Sequence, residues 1–334
     1  MKEAVVAPGP KVEIIDSPVP KPNADQILIK VIVSGSNPKD WKVPDWRQVT
    51  ANQGDDIAGI VQDVGSNVTE FKPGDRVAAF HEIMSPHGSY AEYAIAWQHT
   101  TFHLPQATTF EEGAAIPLAA MTSAVGLYLQ LGLPQPWTPA VEPTPLVIYG
   151  AASAVGTYAV QFASKSNIHP LICVAGKSQS HVENLIDRGK GDTVVDYRDG
   201  DDAVTEALKK AAEGSKLLYA FDAISEHNSY VILSKVLAQG SKITLVLPPK
   251  DYEFPSHVTQ SLTSVGSVHS TAKDFGFVYF RYITRGLQEG WFKPQPQELV
   301  PGGLGGIQKG LDNLKAGKAN AIKYVFRIAD TEGI

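Results

Sequence analysis

The chain has 334 residues, too many for one ordinary core, so its length points to two domains. An apolar fraction of 43%, a charged fraction of 19% and a formal charge of −6 without a Lys or Arg run fit a globular protein and argue against a nucleic-acid partner or an anionic membrane surface. One cysteine, Cys173, excludes an intrachain disulfide. Met1 to Pro10 lacks a signal-peptide pattern, and no apolar stretch reaches the roughly 18–20 residues of a membrane span, so a cytoplasmic location is the default expectation.

The first third reads as β structure. Residues 27–33 are apolar on both faces; 57–64, 76–80 and 89–95 are further strand-like runs, separated by Gly65-Ser66-Asn67 and Lys72-Pro73-Gly74-Asp75. Residues 110–131 are Ala-rich and helix-compatible, but Pro117 divides them into two helices. The Pro- and Trp-containing stretch 134–145 is a loop. Strands and helices then alternate: strands at 146–149, 171–174, 217–221 and 243–247, and helices at 154–166 and around Val204, Leu208 and Ala211. That alternation predicts a parallel sheet covered by helices. The aromatic run Phe275 to Arg281 alternates, and Tyr324 to Ile328 is a strand that can return to the first domain.

Tyr149-Gly150-Ala151-Ala152-Ser153-Ala154-Val155-Gly156 follows a strand and opens a helix. Small residues there let the backbone approach a pyrophosphate, and the helix amino terminus offers N–H groups to the anion. Gly150, Ala152, Ser153, Ala154, Val155 and Gly156 are therefore candidate cofactor contacts, with Leu247 at the end of a later strand. After the second strand of this region comes Gly176-Lys177-Ser178, where NAD sites usually place an acidic residue. Lys177 and Ser178 suit a 2′-phosphate, with Tyr197 able to complete the site, which predicts NADPH over NADH. The alternative is that Lys177 is a solvated loop lysine.

These residues resemble the medium-chain dehydrogenase/reductase superfamily. The resemblance rests on Gly54-Asp55-Asp56-Ile57-Ala58-Gly59-Ile60-Val61, Val64-Gly65, Phe71-Lys72-Pro73-Gly74-Asp75-Arg76-Val77 and the turn 152–156, and it covers essentially the whole chain. It implies an α/β architecture: a GroES-like β domain (1–117), a Rossmann doubly wound parallel-sheet domain (118–265) and a return to the first domain (266–334), with the cofactor between the domains. Asn37-Pro38-Lys39-Asp40-Trp41-Lys42 resembles the zinc-free branch, which includes quinone oxidoreductases and fungal trans-enoyl reductases. Zinc-dependent members carry ligands where this chain has Asn37 and Asp55. With one cysteine in the chain no four-Cys zinc lobe can form, so no metal is expected.

The function implied is zinc-independent, NADPH-dependent hydride transfer to an activated double bond (enone, enal or enoyl) or to a quinone. Without zinc, hydrogen-bond donors must meet the negative charge that forms on the acceptor. The resemblance makes Lys42 and Thr122 the catalytic candidates, with Asn37 near the nicotinamide ribose or the substrate. Each has a structural alternative: a surface lysine, a helix hydroxyl bonded to its own backbone, a turn residue before proline. Asp40 and Asp56 are expected to hold loops. Trp41, Trp46, Phe277, Tyr279, Phe280, Tyr282 and Trp291 are candidate pocket walls, about half of them serving only as core. The substrate is a small-molecule or carrier-bound unsaturated carbonyl compound, and homodimer and monomer both stay open. Two other readings stand beside this one: a carbonyl reductase or alcohol dehydrogenase, and an NADPH-binding structural or regulatory protein.

Overall fold

The computed structural model describes residues 1–212 and 214–334. It divides into two compact units, residues 1–118 with 266–334, and residues 119–265.

The first unit opens with an antiparallel hairpin, β1 (Lys2–Ala7) and β2 (Lys11–Asp16), turned at Gly9, whose φ of 126° favours glycine. β3 (Gln26–Gly35) is the spine of the unit. It pairs antiparallel with β4 (Asp56–Val64) and, on its other edge, with β6 (Tyr93–Trp97). Its two-sided apolar run is buried as the sequence pattern predicts, from Ile27 to Ile29 and again at Val31 and Val33. Helix α1 (Lys39–Arg47) lies between β3 and β4; β5 (Arg76–Phe80) and β7 (Thr101–His103) extend the sheet beyond β4. The predicted break at Pro117 is present. α2 (Phe110–Ala114) starts in a Thr109/Glu112 capping box, and α3 (Pro117–Ala124) begins at the proline, where the missing N–H costs nothing.

The second unit alternates strand and helix: β8 (Leu146–Tyr149), α4 (Ala154–Lys165), β9 (Leu171–Ala175), α5 (Gln179–Glu183), β10 (Thr193–Asp196), α6 (Asp201–Ala211), β11 (Tyr219–Asp222), α7 (Ser229–Val236), β12 (Ser241–Leu245) and β13 (Val258–Leu262). All six strands are parallel, in the order β10-β9-β8-β11-β12-β13. Val147, Ile172, Val174, Ala220, Ile243 and Leu245 bury against the covering helices. The strand order reverses between β8 and β11. In open α/β sheets, ligands bind at the carboxyl ends beside such a reversal.

The chain then returns to the first unit through α8 (Lys273–Glu289), β14 (Gln297–Leu299), α9 (Ile307–Lys315) and β15 (Lys323–Arg327). β15 pairs antiparallel with β3 and parallel with β14. The run Phe275 to Arg281 is helical, not extended. Gly276, Tyr279, Phe280, Ile283 and Gly286 form its buried face at helical spacing, and the Phe275 and Tyr279 rings meet at 4.4 Å, four residues apart.

Candidate active site

The turn between β8 and α4 is built for close backbone approach. Gly150 takes φ 78°. A Cβ on Gly156 would lie 2.2 Å from the Gly150 carbonyl oxygen, so only glycine lets α4 seat on the turn. Ser153 caps α4, its Oγ accepting from the Gly156 amide at 3.0 Å. The amides of Ala154 and Val155, first in the helix, have no intrahelical acceptor by geometry, which is the arrangement that suits an anion. Ala152 lies in the same turn. Ser123, not singled out in the sequence, donates from Oγ to the Val155 carbonyl at 2.6 Å and so ties α3 to the first turn of α4. Thr122, the residue before Ser123 on α3, is buried.

The ends of β9 and β10 bring the 2′-phosphate candidates together. Ala175 and Asp196 are in register, so the residues that follow lie side by side. Lys177 is exposed, Ser178 precedes α5, and half-exposed Tyr197 lays its ring over Gly176, where a Cβ would come within 2.5 Å of the ring. Arg198 is held by Asp196. Leu247 stands two residues beyond β12, on the same carboxyl-end side as this turn.

Asn37 belongs to a buried charged cluster in the first unit. Its Nδ2 donates to Asp56 Oδ2 at 2.7 Å, and its Oδ1 accepts from Lys323 Nζ at 3.0 Å. Lys323 also pairs with Asp56. As expected of loop-holding carboxylates, Asp40 accepts the Asn37 amide (2.7 Å) and Asp56 the Leu118 amide (2.6 Å). Asp40 Oδ2 further accepts from the Tyr90 hydroxyl at 2.6 Å. Lys39 joins Asp55 (2.5 Å), Asp40 (3.0 Å) and the Gln53 carbonyl (2.7 Å). Burial pushes Asp40 and Asp55 up to about 6, against the pull of Lys39. Burial alone would lower the Lys39 ammonium; the two carboxylates reverse this, and it is raised.

Lys42, one turn into α1, is also buried, with its ammonium 5.4 Å from the Trp41 ring centre and 6.0 Å from that of Trp46. Lys42 and Asn37 therefore belong to the first unit and Thr122 to the second. Of the candidate wall aromatics, Tyr279 and Phe280 are core, Phe280 stacking on Phe102 at 5.5 Å. Phe277 and Trp46 are exposed, and Phe277 carries the Arg281 guanidinium at 3.8 Å.

The cluster does not fit a catalytic zinc. A tetrahedral site needs three protein ligands, but Asp55 is committed to Lys39 and Asn37 to Lys323 and Asp56. Among the described residues, no group of three or more His, Cys, Asp or Glu is placed to hold a metal ion. No helix among them is long and apolar enough to cross a membrane.

Residues 23–106 match the alcohol dehydrogenase GroES-like domain. Trans-enoyl reductase fsr4 of Gibberella fujikuroi is 54% identical over 308 residues, covering 90% of this chain and 91% of that protein. Trans-enoyl reductase resD of Aspergillus sclerotiorum is 31% identical, covering 96% and 98%. An alcohol dehydrogenase superfamily protein from Novosphingobium aromaticivorans shares the fold, with a TM-score of 0.79 at 20% identity over 98% of this chain and 99% of the other.

Proposed function

We propose, from the premise that this chain belongs to the medium-chain dehydrogenase/reductase superfamily and to its trans-enoyl reductase-like branch, that it reduces the activated double bond of an α,β-unsaturated carbonyl compound with NADPH. The observation that carries the reading is 54% identity, along nine tenths of the chain, to a trans-enoyl reductase. The substrate is free or carrier-bound.

The β8–α4 turn would hold the pyrophosphate, and Lys177, Ser178 and Tyr197 the 2′-phosphate, with Leu247 beside the cofactor. When bound, the reduced nicotinamide supplies a hydride to the β-carbon of the acceptor. The electron pair displaced from the double bond gathers on the carbonyl oxygen as an enolate. Lys42 and Thr122 are the proposed donors to that oxygen, and a proton reaching the α-carbon completes the saturated product. Asn37 supports the site through Asp56 and Lys323, and its amide is a proposed contact of the ribose or substrate.

Incubating the protein with NADPH and an α,β-unsaturated ketone tests this. A saturated ketone is the expected product; an allylic alcohol would overturn double-bond reduction. Lys42→Ala and Thr122→Val are each expected to lower turnover while NADPH binding persists, and full turnover in both would remove them from the mechanism. Lys177→Ala is expected to weaken NADPH and leave NADH unchanged. Equal dissociation constants of the two cofactors for the unaltered protein would refute the choice of NADPH.

A further inference from the structure

Three oxygens converge on the Lys39 ammonium: Asp55 Oδ2 at 2.5 Å, Gln53 O at 2.7 Å and Asp40 Oδ1 at 3.0 Å. The Gln53 carbonyl accepts a hydrogen bond from the ammonium, and the two carboxylate oxygens lie at ion-pair distance with no other hydrogen-bond partner among the described residues. Asp40 and Asp55 are almost completely buried, and the Lys39 side chain is only 17% exposed. Two carboxylates and a carbonyl are a hard-oxygen ligand set, the kind that takes Mg²⁺, Ca²⁺ or Mn²⁺. The neighbouring position repeats the pattern, since the ammonium of Lys323 lies on Asn37 and Asp56. Asn37 and Asp55 are thus each bonded to a lysine.

We propose that Lys39 is a built-in cation: its ammonium fills a three-oxygen cage that takes a hard divalent metal ion once the lysine is removed. The charge balance supports this. Asp40, Asp55 and Asp56 face Lys39 and Lys323, so three formal negative charges meet two positive ones. Without Lys39 the excess rises from one negative charge to two, in a place where an uncompensated carboxylate is strongly disfavoured. A divalent ion would restore the balance, at the point where the three oxygens already converge. Lys39 also opens α1, the helix that carries Lys42, and Asp40 fixes the Asn37 amide, so the same charge holds the start of that helix. The inference does not depend on which acceptor the protein reduces.

The test uses the full chain, stripped of metal with a chelator and titrated with Mn²⁺ alone; free Mn²⁺ is read by electron paramagnetic resonance and folding by near-UV circular dichroism. The unaltered protein and Lys39→Arg are expected to leave the free Mn²⁺ signal unchanged. Lys39→Ala is expected to take up one equivalent, with a dissociation constant on the order of 10⁻³ M or tighter, as for a weak oxygen site. Adding Asp55→Asn to Lys39→Ala is expected to weaken that uptake at least about tenfold, because affinity follows ligand charge. Mn²⁺ should also raise the melting temperature of Lys39→Ala and not that of the unaltered protein. A folded Lys39→Ala that binds no Mn²⁺, or an unaltered chain that binds it equally well, overturns the proposal. If Lys39→Ala does not fold without metal, refolding in millimolar Mn²⁺ must restore its near-UV spectrum, and failure to do so overturns the proposal as well.

Discussion

Asp222 closes β11 with a carboxylate almost wholly removed from water. Its Oδ1 accepts the Ile224 and Ser225 amides at 3.0 and 2.7 Å, and its Oδ2 the Ser229 hydroxyl at 2.5 Å. Burial nevertheless dominates and pushes its pKa up to about 6. A carboxyl with a raised folded pKa binds its proton more tightly in the native state. Its contribution is therefore complete below the ordinary aspartate range and is lost as pH rises through about 6. Asp222→Asn keeps an acceptor for both amides and cannot ionise. Relative to the unaltered protein, the variant should gain about 3 kcal/mol of unfolding free energy between roughly pH 3 and pH 7, measured by urea denaturation. A difference independent of pH would refute the assignment. At this scale the sequence is a partial guide. The charges of the Asn37 cluster stand in plain view, and the motif from Asn37 to Lys42 includes Lys39. Nothing local marks Lys39 off from any surface lysine, however, and the partner of Asp56 lies 267 residues away.

Among the elements, the β8–α4 unit depends most on one atom that is missing. Gly156→Ala would place a methyl group against the Gly150 carbonyl and the Ala151 backbone, neither of which can yield as a flexible side chain would. α4 would have to lift from the turn. NADPH affinity should fall at least about tenfold, or about 1.4 kcal/mol. Ser153→Ala, which removes only the cap, should cost about 1 kcal/mol of stability. Fluorescence titration with NADPH checks the first, and an unchanged dissociation constant would show that the turn tolerates the shift. This unit was legible because hydrophobic period and residue size change together within a few positions. The β1–β2 hairpin was not, since β2 is largely exposed on both faces and shows no alternation of burial. Helix α8 was misread for the opposite reason. Its aromatic residues are dense enough to mimic a two-residue period, and only packing against Phe102 and within the helix reveals the helical one.

The two-part architecture was readable from the change of pattern near residue 110, from short strands to strand–helix alternation. What the pattern could not convey is how far the first unit depends on β15, which lies between β14 and β3 with Tyr324, Val325 and Phe326 buried and Ile328 just beyond. Removing residues 323–334 would expose partners of those four side chains. At about 1.5–3 kcal/mol each, the loss of about 6–12 kcal/mol rivals the whole stability of a domain. It would also leave Asp56 without its ammonium. The shortened chain should lose the cooperative unfolding of the first unit in calorimetry while the second unit still melts; a transition like that of the full chain would contradict this. The same threading sets a timetable on the ribosome. β3 leaves the exit tunnel long before its neighbour β15 exists, and at roughly 5–20 residues per second the wait is about 15–60 s. Throughout that interval the Val33–Gly35 end of the β3 edge, beyond the stretch that β6 covers, is an open template, whereas the second unit is one continuous segment and can close as soon as it emerges. The half that finishes last is thus the one most exposed to mispairing between nascent chains, so its yield in cells should fall when crowding or temperature rises faster than chaperones can shield that edge.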